Sequence, residues 1–383
     1  MKINMPQAVK EIIATLQQNN YEAYAVGGCV RDSILGREPN DWDITTSASP
    51  EEVKALFRRT IDTGIEHGTV TIMIDKVGYE VTTYRIDGKY EDGRHPTEVT
   101  FTRNLKEDLL RRDFTINAMA YNDTDGLVDI FGGLEDIERK VIRCVGDPRA
   151  RFTEDALRLM RAVRFAAQLG YTIEEQNREA MKEIAGNLTK ISAERIQVEL
   201  VKTLVSPNPF MMKDAYELGL TKYFMPEFDL AMETEQHNRH HMYTVGEHSL
   251  VATGHIRADK VLRLTMLMHD FGKPLCITTD EEGIDHYYGH PAKSEEMAEE
   301  ILHRLKFDND TIRKVCILIR HHDERIVPGL KYMRRAMARI GEEAFPELFE
   351  VQEADISAQS EYKKDTKLAN LEANRKDYEE ICA

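Results

Sequence analysis

The chain has 383 residues, 42% of them hydrophobic and 31% charged, with 51 Lys and Arg against 67 Asp and Glu and five cysteines. That length holds two or three domains, each with its own core, and the composition is that of an ordinary soluble protein without low-complexity segments. A net charge of −16 argues against a non-specific nucleic-acid binder, so any nucleic-acid contact must come from local patches and depend strongly on salt. Cysteines odd in number and without paired spacing point to reduced thiols in a cytoplasm. No apolar run approaches the roughly 18 residues that a membrane span needs.

Residues 1–20 read as an amphipathic lead-in helix, not a signal peptide. A short apolar strand, about 22–26, then runs into Gly27-Gly28; a helix with Arg31-Asp32 follows, and a second strand, about 41–45, carries Asp41-x-Asp43. Two residues apart on a strand, Asp41 and Asp43 point to one face. Paired carboxylates on a rigid element suit hard divalent cations, which share their oxygen ligands with substrate phosphates. Gly27 and Gly28 let backbone N–H groups approach a phosphate closely, at a helix N-terminus whose dipole favours it. This ordered constellation resembles the nucleotidyltransferases with a polymerase-β-like palm, specifically the class II tRNA CCA-adding enzymes and bacterial poly(A) polymerases.

Further strands are expected at about 69–75, 79–84 and 97–101, rich in Val, Ile and Thr with alternation. On the second of these, Glu80 is the candidate third carboxylate. Beyond about 104 the pattern is helical almost to the end, with apolar residues at helical spacing over 153–169, 191–205 and 295–306. Strands first and helices afterwards make an α+β chain. The string Leu110-Arg111-Arg112-Asp113-Phe114-Thr115-Ile116-Asn117 resembles the family motif joining head to neck, and the resemblance implies that Arg112 contacts the nucleotide triphosphate. A planar guanidinium with fixed charge suits that role.

In Phe152-Thr153-Glu154-Asp155-Ala156-Leu157-Arg158, Glu154 and Asp155 stand one helical turn before Arg158, with Arg161 and Arg164 at every third residue after it. A surface salt-bridge ladder is one reading. The other is base recognition: cytosine and adenine each present an amino donor beside a ring-nitrogen acceptor, so an Asp acceptor beside an Arg donor fits both and rejects guanine and uracil. The resemblance favours the second, with Asp155 and Arg158 reading the base and Arg161 and Arg164 near the nucleotide.

After the neck come His248, His269-Asp270, His286-x-x-x-His290 and His321-His322-Asp323. Histidines gathered with an adjacent Asp from separate helices are better explained as a metal site than as core residues. Met268-His269-Asp270-Phe271-Gly272-Lys273-Pro274 resembles the HD phosphohydrolase signature, and the ligand set taken from it is His248, His269, Asp270, His290 and His321. Spacing leaves open which of His321, His322 and Asp323 ligates. The last helical pattern stops at Ala383 without a C-cap, which reads as a shortened tail.

The fold expected is thus a polymerase-β-like nucleotidyltransferase head with a mixed sheet, an all-helical neck and body, and an HD domain. The boundaries are head 1–122, neck and body 123–235, metal domain 236–330 and tail 331–383. The implied activity is untemplated addition or repair of the 3′-terminal CCA of tRNA from CTP and ATP. In it, Asp41 and Asp43 would hold two Mg²⁺ ions, and Gly28, Arg31 and Arg112 would cradle phosphates. A divalent transition metal in the HD domain would support hydrolysis of RNA ends or nucleotides. No membrane and no obligate protein partner are expected. Alternatives are a poly(A) polymerase, an enzyme adding only CC or only A, and a regulatory RNA-binding HD phosphohydrolase with a silent head. The loop Arg85–Arg94 reads as intact, which by resemblance favours addition of A.

Overall fold

The computed structural model describes residues 1–90, 96 and 98–383. The expectation for the loop before the head–neck motif falls partly on residues 91–94, outside the described ones. By the density of its internal packing the chain divides into two units, one of residues 1–158 and 171–184, the other of residues 159–170 and 185–383.

The first unit is built on one seven-stranded mixed sheet. Its strands are β1 (Ala23–Val26), β2 (Ile44–Thr46), β3 (Thr60–Gly64), β4 (Thr69–Ile74), β5 (Val77–Thr83), β8 (Ala120–Asn122) and β9 (Gly126–Val128), while β6 (Arg85–Asp87) and β7 (Val99–Phe101) pair separately. The order is β3-β4-β5-β2-β1-β8-β9, and β2 with β5 is its parallel pair, Ile44 opposite Val81 and Thr46 opposite Thr83. β1 and β2 are buried along their whole length, as central strands must be. Helix Gln7–Gln18 covers the sheet through Val9, Ile12, Ile13 and Leu16, the one-face spacing of an amphipathic helix. Helix Pro50–Leu56 starts at a capping box, with Ser49 accepting from the Glu52 amide at 3.2 Å and Glu52 accepting from the Ser49 amide at 2.8 Å. Helix Pro148–Glu154 packs on helix Glu175–Ile184, and a parallel pair of Val141–Ile142 with Thr172–Ile173 ties segment 171–184 into this unit.

Three expectations are corrected here. Strand β2 begins at Ile44, so Asp41 and Asp43 lie in the segment just before it, not on the strand itself. β3, β6, β8 and β9 are beyond the expected strands; β6 falls in the stretch read as loop, β8 and β9 where only helix was expected, and three residues are too few to show alternation. The helix expected over 153–169 is broken: one helix ends at Glu154, Asp155 is extended (φ −138°, ψ 103°), and a second runs Leu157–Leu169.

In the described residues the second unit is almost entirely helical, with one two-stranded pairing, Thr278–Thr279 with Asp285–His286. Its core gathers Ile256, Leu262, Met266, Leu318, Met333, Phe345, Leu348 and Leu371. Phe345 stacks on Tyr378 at 5.7 Å, which fastens helix Lys364–Cys382 onto helix Phe345–Ser357.

Candidate functional site

The Val26 amide donates to the Asp43 carbonyl at 3.0 Å, so β1–β2 pairing persists one residue beyond Ile44 and fixes where Asp43 sits. On the parallel neighbour, Glu80 precedes Val81, the partner of Ile44; Asp43 and Glu80 are therefore adjacent at one end of the sheet. Desolvation raises the Asp43 carboxyl above the ordinary carboxylate range; Arg112 opposes and Asp41 adds to the rise. Glu80 is raised by desolvation and then by Asp43 and Asp41. Three carboxylates that repel one another at a solvent-facing sheet end are what a cation would relieve. Their oxygens do not all lie within 4.8 Å of one another among the described residues.

Gly27 turns the chain from β1 into helix Gly28–Ile34 with φ 82° and ψ −132°, a conformation that costs a residue with a Cβ. A Cβ there would stand 3.3 Å from Arg112 Nη1, and one on Gly28 would stand 3.6 Å from Arg31 Nη2. Two guanidinium groups thus lie against the Gly27-Gly28 turn. Arg31 is buried and donates to Asp32 at 2.9 and 3.0 Å and to Asn117. Arg112 lies 3.6 Å from Asp108, but its Nε is buried and has no hydrogen-bond partner. Burial lowers the Arg112 pKa, with Asp108 and Asp43 opposing.

Asp155 caps the second helix, its Oδ1 accepting from the Leu157 amide at 3.0 Å. Glu154 accepts from Arg151 at 2.8 Å and, across the break, from Arg158 at 2.7 Å. Arg158 also donates to the Arg151 and Arg111 carbonyls at 3.0 and 3.1 Å. Desolvation works against its charge, and Asp113 and Glu154 outweigh it to raise its pKa. In the second unit Arg161 lies over the Phe165 ring at 5.3 Å. Arg164 is buried, pairs with the buried Glu199 and covers the same ring at 4.1 Å.

The second unit brings five side chains together around Asp270. His248, His269, Asp270 and Asp355 form one group, and Asp270, His290 and His322 another, every member buried. His248 Nε2 stands 2.8 Å from Asp355; His269 Nε2 stands 3.3 Å from Asp270 and 3.4 Å from Asp355. His290 and His322 approach the other Asp270 oxygen at 3.3 and 3.5 Å. The Nδ1 atoms of His269, His290 and His322 face the carbonyls of Met266, Tyr287 and Ile319 at 2.7, 2.8 and 2.6 Å. These contacts suit Nδ1 as the donor and turn each Nε2 inward, the atom that a bound metal would take in place of a proton. Desolvation disfavours the His269 imidazolium, but Asp270 and Asp355 outweigh it and push its pKa up to about 10. Its Nε2 makes no hydrogen bond of acceptable geometry. The donor set fits divalent cations.

His321 is not part of this cluster. It turns away to Glu324 at 2.5 Å, while His322 continues the inward face of helix Asn309–His321 after Ile312, Val315 and Ile319. That helical phase was readable in the sequence. Asp355, which sequence reasoning passed over, left no such sign; it lies 85 residues beyond Asp270 in a helix without a motif.

Family profiles match the chain in three places: the poly A polymerase head domain at residues 23–143, the probable RNA- and SrmB-binding site of polymerase A at 170–232, and the HD domain at 239–370. The CCA-adding enzyme of Lactiplantibacillus plantarum is 56% identical over 203 residues, 53% of this chain and 50% of that protein. That of Levilactobacillus brevis is 52% identical over 223 residues, 58% and 56% of the two chains. The chain thus spans about half the length of these curated relatives. The crystal structure of the Bacillus stearothermophilus CCA-adding enzyme in complex with CTP aligns with a TM-score of 0.70 and 32% identity, over 95% of this chain and 82% of that one. The Thermotoga maritima CCA-adding enzyme complexed with tRNA shares the fold, at 21% identity and a TM-score of 0.59. Among the described residues no helix is long and apolar enough to cross a membrane. A nucleotidyltransferase head and an HD domain both imply dependence on divalent metal. The matched head, the HD cluster and the extent of the structural likeness place this chain in the family of the CCA-adding enzymes.

Proposed function

We propose that the chain adds or repairs the 3′-terminal CCA of tRNA, taking CTP and ATP in turn and releasing pyrophosphate, in the cytoplasm. The observation that carries this reading is the position of Arg112, whose unpartnered Nε and close approach to Gly27 put a cation beside the Asp43 carboxylate. Two Mg²⁺ ions held by those carboxylates would activate the terminal 3′-hydroxyl and neutralise the triphosphate. Arg112 and Arg31 would receive the phosphates, with the Gly27-Gly28 backbone free of any Cβ that would bar close approach. Glu154, Asp155 and Arg158, and further along Arg161 and Arg164, would act in nucleotide selection, and the resemblance to enzymes with that motif supports it.

In the second unit, His248, His269, Asp270, His290, His322 and Asp355 would hold divalent transition metal for hydrolysis of phosphate esters at RNA ends or on nucleotides. The test of the main reading uses tRNA ending before CCA, incubated with each labelled nucleotide singly and then together. C addition from CTP alone, and A only after C, are expected. Long A tails from ATP alone would make it a poly(A) polymerase. In the same assay Asp43→Ala should abolish incorporation of both nucleotides, a loss of at least 10³-fold by the size of a two-metal contribution. Wild-type CTP incorporation by that variant would remove the carboxylates from the mechanism.

A further inference from the structure

Residues 325–341 carry Arg325, Lys331, Arg334, Arg335 and Arg339 and not one Asp or Glu, in a chain whose net charge is −16. Helix Leu330–Ile340 buries Met333, Ala336 and Met337 in the core of the second unit. Its opposite face exposes Lys331, Arg334 and Arg335, spaced i, i+3 and i+4 and hence neighbours on one ridge. Arg339 is held by Glu324, and Arg325 lies 3.9 Å from Asp323. Among the described residues Lys331, Arg334 and Arg335 have no ion-pair partner. Three like charges side by side without a counter-charge repel, and an acidic chain with 67 carboxylate residues has no shortage of partners it could have placed there. Tyr332, 48% exposed, stands among them.

Arg325, five residues before the helix, lines a cavity of about 730 Å³ together with Asp270, His290, His322 and Asp355, and Arg239, Lys273 and Lys367 line it as well. We propose that Lys331, Arg334 and Arg335 bind the phosphate backbone of a single RNA strand whose terminus enters the HD cavity past Arg325. This rests on the reading of that cavity as a phosphate-ester site. Cations at successive positions with an aromatic beside them match a flexible polyanion whose bases stack, the pattern of single-strand RNA binding. The ridge lies outside residues 170–232, the segment that the family profile associates with RNA.

The test compares the full chain with a Lys331→Glu/Arg334→Glu/Arg335→Glu variant by fluorescence anisotropy on a labelled single-stranded RNA over a KCl series. Loss of three phosphate contacts should flatten the slope of log K against log salt by about 2 and weaken binding at low salt by at least tenfold. Hydrolysis of a 3′-phosphorylated RNA should show a raised KM, with that of p-nitrophenyl phosphate unchanged. Arg334→Lys/Arg335→Lys should keep the slope, and melting curves of all variants should overlay, the changes being on an exposed face. An unchanged slope in the Glu variant overturns the proposal and leaves the ridge to an acidic protein partner. A slope changed together with a lowered melting temperature overturns it too. If the wild type hydrolyses neither substrate, the phosphate-ester reading of the cavity fails, and the ridge stands or falls on the binding slope alone.

Discussion

Asp108 is wholly buried and accepts from Thr45 Oγ1 at 2.9 Å, the Arg85 amide at 3.2 Å and Arg111 Nε at 3.0 Å. Burial would raise its pKa, but Arg111 and Arg112 outweigh that and hold it below the ordinary value. A carboxylate depressed in the native state contributes stability that is complete above its unfolded pKa, about 4, and is lost as pH falls through the folded value. Asp108→Asn leaves Arg111 and Arg112 short of a buried counter-charge and should cost the first unit about 3 kcal/mol at pH 7. It should also flatten the acid limb of the stability curve. Urea unfolding at neutral and acid pH checks both; an acid limb as steep in the variant as in the wild type would mean that this carboxylate does not govern it. The same residue aims Arg112 toward Asp43, so CTP incorporation should fall alongside.

At the scale of the element, the break at Asp155 changes what the Glu154–Arg158 segment can do. Asp155 is a helix cap in the structure, and Arg158 is held by Glu154 and two backbone carbonyls. A cap and a base reader make different demands on the side chain, and substitution separates them. Asn caps as well as Asp, whereas Ala does not and costs about 1 kcal/mol. If Asp155 is only a cap, Asp155→Asn should leave both stability and nucleotide choice unaltered. If it reads the base as proposed, Asp155→Asn should keep the melting temperature while blunting discrimination against UTP and GTP by about ten- to hundredfold, the worth of one charge-assisted bond. Relative kcat/KM for the four nucleotides decides it; equal ratios in wild type and Asn variant would return the segment to a structural role.

At the scale of the whole molecule, the two units each carry a cluster of acidic or imidazole groups, and metal should act on them separately. The HD cluster turns six buried potential ligands toward one another, so bound metal should stabilise the second unit. A chelator selective for transition metals, with Mg²⁺ kept in excess, is expected to lower the transition of that unit and leave the other in place. His322→Ala should reduce bound transition metal measured by plasma emission, and His321→Ala should leave it at the wild-type amount. The reverse result would mean that the helix Asn309–His321 presents its other histidine. Nucleotide addition should survive His322→Ala, since the head carboxylates lie in the other unit.

What the amino-acid sequence determined by itself was whatever rests on neighbours along the chain. The Gly27-Gly28 turn, the Asp41-x-Asp43 pair, the Arg111-Arg112 string and the His269-Asp270 motif are local patterns in which chemistry and spacing are both visible. The α+β division followed from the switch between strand and helix periodicity. Only the tertiary structure decided the rest, because it depends on contacts between distant residues. Glu80 meets Asp43 through the register of β2 on β5, 37 residues apart in sequence. Asp355 reaches Asp270 and His269 only because helix Phe345–Ser357 packs back onto the others. β8 and β9 exist because β1 offers an edge to pair with; their three residues could not declare a strand alone. The break at Asp155 follows likewise from a capping bond and a buried guanidinium, which compete with a helical periodicity that the local sequence shows unbroken.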